Sequence, residues 1–165
     1  AMEELCRQGL IRAIGVSNFL PDRLMDLCYN AEIIPQVNQI ELHPFCQQQA
    51  LRQVMAAYHI QPMAWAPFAE GQGNLFHHPV LSAIGQAHGK TPAQVVLRWL
   101  RQEGIVSIPK SVHPQRIREN WDIEDFTLSP GELTQIRALD QNRSWILDVP
   151  NLTEVYRLHN IPVSQ

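Results

Sequence analysis

Nowhere does this chain string together the roughly 20 consecutive apolar residues that a bilayer-crossing helix needs, so a membrane partner is not expected. Cysteine is scarce. The three present, Cys6, Cys28 and Cys46, are an odd number and lie apart among apolar neighbours. They read as buried thiols of a reducing compartment, not as a disulfide framework. A surplus of positive charge is missing too, and the formal net charge of −3 argues against a nucleic-acid or membrane surface. Low-complexity tracts and strong internal repeats are absent. The opening "AMEELCRQGLIR" is amphipathic and charged, without the apolar core of a signal peptide. These absences together lead us to expect a cytoplasmic protein.

What is present suffices for one domain. The 165 residues, 45% of them hydrophobic, are enough for a real core, and 1–165 is read as a single unit. Four strand-like runs stand out: "LIRAIGVSN" (10–18), "PQVNQIE" (35–41), "IQPMAWAP" (60–67) and "GIVSIPKS" (104–111). They lack clean period-2 alternation, which predicts strands covered on both faces, as in a parallel sheet. A helical pattern follows each run. Residues 21–31 begin with Pro21, and 47–58 are rich in Gln, Ala and Leu. In "KTPAQVVLRWLRQEG", Thr91 is the expected N-cap, Pro92 the first helical residue and Gln94 the partner of a capping box. Val95, Val96, Trp99 and Leu100 make its apolar stripe. Ser129, Pro130 and Glu132 repeat the capping pattern in "LSPGELTQIRAL". Strand then helix, four times over, predicts a parallel α/β architecture. The stretch after Asn142 carries Trp145, Ile146, Leu147 and Tyr156, a composition that suits a docked tail.

Chemistry-bearing residues collect at the strand ends: Ser17 and Asn18, then Gln39 and His43, then Trp65, then Lys110 and Ser111. Ligands of parallel α/β folds lie at the carboxyl edge of the sheet, so these groups are expected to converge. A loop role for any one of them alone is as good a reading. His43 with Cys46, and His77 with His78, have ligand chemistry but no second cluster to complete a tetrahedral site, so no metal is expected. "IPKSVHPQRIREN" (108–120) packs Lys110, Arg116 and Arg118 around Ser111, a basic cluster in an acidic chain.

Taken in order, "GLIRAIGVSNF", "VNQIELHP", "AWAPFAEG", "TPAQVVLRW" and "IPKSVHPQRIREN" resemble the C-terminal half of the aldo-keto reductases, nearest to the bacterial diketo-gluconate and small-aldehyde reductases. The likeness runs from residue 1 to about residue 141. It implies an α/β fold of the parallel β/α barrel (TIM) type, here the C-terminal half only: about four βα units plus a C-terminal helix and tail. It also implies NADP(H) as cofactor and a small carbonyl compound as substrate, with hydride transfer turning carbonyl into alcohol.

By the same resemblance, Ser17, Asn18 and Gln39 would hydrogen-bond the nicotinamide carboxamide and Trp65 would stack on its ring. Ala66, Pro67 and Phe68 would line the pyrophosphate path. Lys110, Ser111 and Arg116 would grip the ribose 2′-phosphate, and Glu119 and Asn120 would meet the adenine. The physical chemistry agrees. Ser, Asn and Gln supply both donors and acceptors for an amide, an indole is a flat apolar platform, and a forked guanidinium suits a phosphate. Pro114 would open a helix whose N-terminus adds partial positive charge. Arg118 is expected to point elsewhere. Trp145 is expected to wall the substrate mouth or to pack.

The family's proton-donating Tyr and its Asp, Lys and His come from the other half of the barrel, and nothing here matches their motifs. No catalytic residue is therefore assigned, and the chain alone is expected to be inactive, a cofactor-binding fragment. Four strands leave two edges and an uncovered apolar face, so the half is expected either to associate with itself, closing an eight-strand ring from two copies, or to stay aggregation-prone. The alternative is a non-catalytic NADP-binding or interaction module built on the same scaffold.

Overall fold

The computed structural model describes residues 1–148 and 150–161. Helix α1 (Met2–Arg7) leads into strand β1 (Gly15–Ser17) and helix α2 (Pro21–Asn30). β2 (Val37–Glu41), α3 (Gln49–Ala57) and β3 (Gln61–Trp65) follow. A turn-rich segment over Ala69–His77 then leads to α4 (Pro79–His88), α5 (Pro92–Gln102) and β4 (Val106–Ser107). The last helices are α6 (Pro114–Trp121), α7 (Pro130–Arg137) and α8 (Leu152–His159). The four strands form one parallel sheet in the order β1-β2-β3-β4. Each connection is a helical crossover, the arrangement expected of successive βα units of a β/α barrel.

The helices begin where the sequence says they should. Pro stands in the first turn of α2, α4, α5, α6 and α7, where its missing N–H costs nothing. Both capping boxes form: Thr91 with Gln94, and Ser129 with Glu132. On α5, Val95, Val96, Leu97, Trp99 and Leu100 are all buried. At about 1.5–3 kcal/mol for each fully buried large side chain, that face is what fixes α5 to the sheet.

The expected two-sided cover of the strands is not what the described residues show. Asn38, Ile40 and Ala64 are at most 1% exposed, whereas Gln39 and Met63, which point the other way, are half-exposed. Burial therefore alternates over residues 37–40 of β2, and Glu41 at its end is buried again. The sequence hides this because the open face also carries apolar residues, Val37 and Met63. The strands are also shorter than the runs predicted for them, three residues in β1 and two in β4, because only these pair with a neighbour. The expected docked tail is docked only in part. Residues 144–147 are half-buried, while α8 buries none of its residues.

Candidate functional site

At the carboxyl ends of the strands, register brings the polar residues side by side. Ser17 pairs with Gln39, Gln39 with Met63, and Glu41 with Trp65. Ser17 Oγ and the Asn18 amide both donate to the Gln39 carbonyl, at 3.2 and 2.9 Å. Gln39 Nε2 donates to Met63 Sδ at 3.2 Å. Asn18 adopts φ 57°, a left-handed conformation that Asn tolerates better than most residues. That turn aims its Oδ1 at Trp65, whose Nε1–H donates to it at 2.8 Å. Asn18 and Trp65 line a cleft of about 400 Å³ with Phe19, Glu41 and residues of the 142–150 tail.

A second cavity, of about 620 Å³, lies where the Ala69–His77 segment faces the start of α6. Phe68, Lys110, Ser111, Arg116, Glu119 and Asn120 all line it, joined by Phe76 and His77. Ala66, at φ 47°, and buried Pro67 carry the chain from Trp65 to Phe68, so they link the two hollows. Among the described residues neither Lys110 nor Arg116 has a carboxylate within ion-pair distance. Pro114 is the first residue of α6, and Ser111 Oγ accepts from the His113 amide at 3.1 Å, shaping the turn before it. Arg118 lines a different depression, with Arg101 and Trp121.

This rim is braced from behind. Lys90, its side chain 9% exposed, pairs with Asp122 at 2.9 Å and Asp125 at 2.8 Å, just beyond α6. The capping Gln94 also donates to the Asp122 carbonyl at 2.8 Å. Gly85 makes the bracing possible: a Cβ there would stand 2.5 Å from the Lys90 carbonyl oxygen.

Sequence reasoning passed over Glu41. It is 2% exposed, and its carboxylate accepts from His43 Nε2 at 3.0 Å, Ser144 Oγ at 2.5 Å, the Trp145 amide at 2.8 Å and the Leu147 amide at 3.2 Å. Burial alone would raise its pKa, but the hydrogen bonds from His43, Ser144 and Trp145 prevail and hold it at about 2. A signal was present: an acid inside a buried strand demands partners, and His43 two residues on faces the same side. His43 Nδ1 accepts from the Phe45 amide at 3.3 Å, so both ring nitrogens are occupied with the proton on Nε2. The Cys46 thiol is pushed up to about 12 by burial, with the charges of Glu41 and Asp140 adding to it. Neither residue is therefore poised to ligate a metal, and among the described residues no cluster of three or more His, Cys, Asp or Glu could hold one. Trp145 stacks on Phe45, centroids 4.8 Å apart at 17°, and lines neither of the two hollows.

No helix of the described residues is long and apolar enough to cross a membrane. The aldo/keto reductase family matches residues 1–141. An aldo-keto reductase of Mycolicibacterium smegmatis is 50% identical over 143 residues, 87% of this chain and 51% of that protein. Methylglyoxal reductase DkgA of Escherichia coli is 45% identical over 142 residues, 86% of this chain and 52% of that protein. A Gox0644 variant crystallised with NADPH superposes with a TM-score of 0.81 at 40% identity, covering 86% of this chain and 51% of that one. The chain thus spans about half the length of the curated relatives it matches. With that match, the parallel βα units and the ordered motifs along the sheet edge, the chain belongs to the aldo/keto reductase family.

Proposed function

We propose that this chain binds NADPH along the carboxyl edge of its sheet, as the coenzyme-holding part of a reductase acting on small aldehydes or sugar-derived ketones. One observation carries the reading: Phe68, Lys110, Ser111, Arg116, Glu119 and Asn120 line a single cavity, and the Asn18–Trp65 cleft lies further along the same edge. The NADPH-bound relative supports the choice of coenzyme.

The residues suit the group. Arg116 brings planar forked donors and Lys110 a point charge, and the N-terminus of α6 adds its unsatisfied amides. Ser17, Asn18 and Gln39 hold donors and acceptors at one level of the sheet for a carboxamide. The Trp65 indole, its N–H tied to Asn18, presents a fixed face against which a nicotinamide ring would lie. The bound coenzyme would supply the hydride. Trp145 packs on Phe45 beside the strap that walls the cleft, and a place on the substrate side is our proposal for it.

The proton is a separate matter. Tyr29 is 88% exposed on α2 and Tyr156 is 60% exposed on α8, while Tyr58 packs against the core. Among the described residues no tyrosine lines either hollow. Reduction of a carbonyl needs an acid beside the nascent alkoxide, so this reading takes the proton donor from outside these residues. The same observation favours a second reading, a module that binds NADP without reducing anything. Both readings take the compartment to be the cytoplasm.

Open edges on β1 and β4, with Val106 and Ile108 exposed at the latter, are where further strands would complete a ring. A second copy of the chain is the occupant we propose, and sedimentation as a monomer would overturn that. The coenzyme reading is tested by NADPH fluorescence titration of the chain and of Arg116→Ala. Charge-assisted contacts predict a loss of about tenfold or more, and an unchanged Kd sinks the assignment. Methylglyoxal reduction, assayed with and without the remaining half of DkgA, separates reductase from module.

A further inference from the structure

Residues 144–147 have no ladder or helix of their own, yet they form the wall of the cleft opposite Asn18 and Trp65 through Ser144 and Leu147. What fixes them is a single buried side chain. Of the four donors that converge on the Glu41 carboxylate, three come from this segment, more than a hundred positions away. Ser144 Oγ serves twice, donating to Glu41 and accepting from the Leu147 amide at 2.9 Å. Among the described residues no lysine or arginine pairs with Glu41, so its charge is met by dipoles and by His43. The Trp145 ring completes the clasp by stacking on Phe45. Gly73 leaves room for it, since a Cβ at that position would stand 2.6 Å from the ring.

We infer that Glu41 is a positioning residue for the nicotinamide end of the site: through Ser144 Oγ and the Trp145 and Leu147 amides it holds the 144–147 strap as the wall facing Asn18 and Trp65. This rests on the coenzyme reading for its ligand but not for its anchor. Glu41 touches no reacting atom. It acts by fixing the width of the cleft, and the Lys110–Arg116 cavity does not depend on it.

The test joins amide hydrogen exchange, followed by NMR on the ligand-free chain, with titrations of NADPH and of adenosine 2′,5′-bisphosphate, which reaches only the Arg116 cavity. In Glu41→Gln one oxygen becomes a donor facing donors. The Trp145 and Leu147 amides should then exchange about tenfold faster or more, while Val96 and Leu97 on α5 keep their protection. NADPH should weaken by about tenfold and the bisphosphate by less than about twofold, because the two hollows are separate. Glu41→Asp, which keeps the charge, should restore part of both effects. Wild-type protection of both strap amides in Glu41→Gln overturns the inference, as does an equal loss for the two ligands in a folded protein. If Glu41→Gln unfolds the core, Ser144→Ala decides: an unaltered Leu147 amide is fatal. If the wild-type chain binds neither ligand, the coenzyme reading falls, and the anchor stands or falls on the amides alone.

Discussion

The indole Nε1–H of Trp65 donates to the Asn18 Oδ1 at 2.8 Å, tying the end of β3 to the end of β1 across β2. Two costs are settled by one side chain: Asn18 tolerates the left-handed turn at φ 57° and gives a half-buried indole its partner.

Replacing Asn18 separates those roles. Asn18→Ala loses the hydrogen bond and forces a Cβ-bearing residue without a polar side chain into the left-handed region. The expected loss is about 2 kcal/mol of stability. Asn18→Gly keeps the backbone relaxed and should lose only about 1 kcal/mol. Urea midpoints measure both, and equal losses would show that the turn carries no strain.

Acid should undo the tail before it undoes the fold. The folded carboxyl of Glu41 lies at about 2 against an ordinary 4.5, so the native state favours the ionised form. Its contribution is complete above pH 4.5 and is lost as pH falls toward 2. Near-ultraviolet dichroism, compared between the wild type and Trp145→Phe, should report the release of the stacked indole within that window.

Thiol reactivity should divide by burial. Cys46 is held at about 12, and burial raises Cys28 as well. Cys6 is half-exposed on α1. At pH 8 an aromatic disulfide reagent should titrate one thiol quickly in the native protein and three after unfolding. Rapid reaction of two or more in the native state would contradict the burial of Cys28 and Cys46.

Gly85→Ala should cost about 1–3 kcal/mol, because its methyl would meet a backbone carbonyl rather than a yielding side chain. The loss should be read by thermal melting and accompanied by a weaker Lys90–Asp122 pairing. If the coenzyme reading holds, affinity at the Arg116 cavity should fall in step.

Local chemistry is readable along the chain. Thr91 with Gln94 and Ser129 with Glu132 announce helix starts because a cap and its partner stand three residues apart. Residues from Phe68 to Asn120 meet in one cavity, which ordered motifs could suggest and spacing alone could not. Contacts that close over long separations escape such reading. Nothing about Ser144 hints that its hydroxyl meets Glu41, since the two stand 103 positions apart. The open strand face escaped because Val37 and Met63 look like core until their neighbours are known. Gly85 is silent for the same reason: its value lies in what approaches it.

Gln39 and Met63 leave one more consequence. A thioether is a feeble acceptor, so the amide of Gln39 is parked against sulfur at little cost and can be drawn away by a carbonyl. Peroxide would change that. A sulfoxide oxygen on Met63 accepts strongly and would keep the amide for itself. Oxidation of Met63 would then be felt at the carboxamide end of the site, while the buried thiols of Cys28 and Cys46 stay intact.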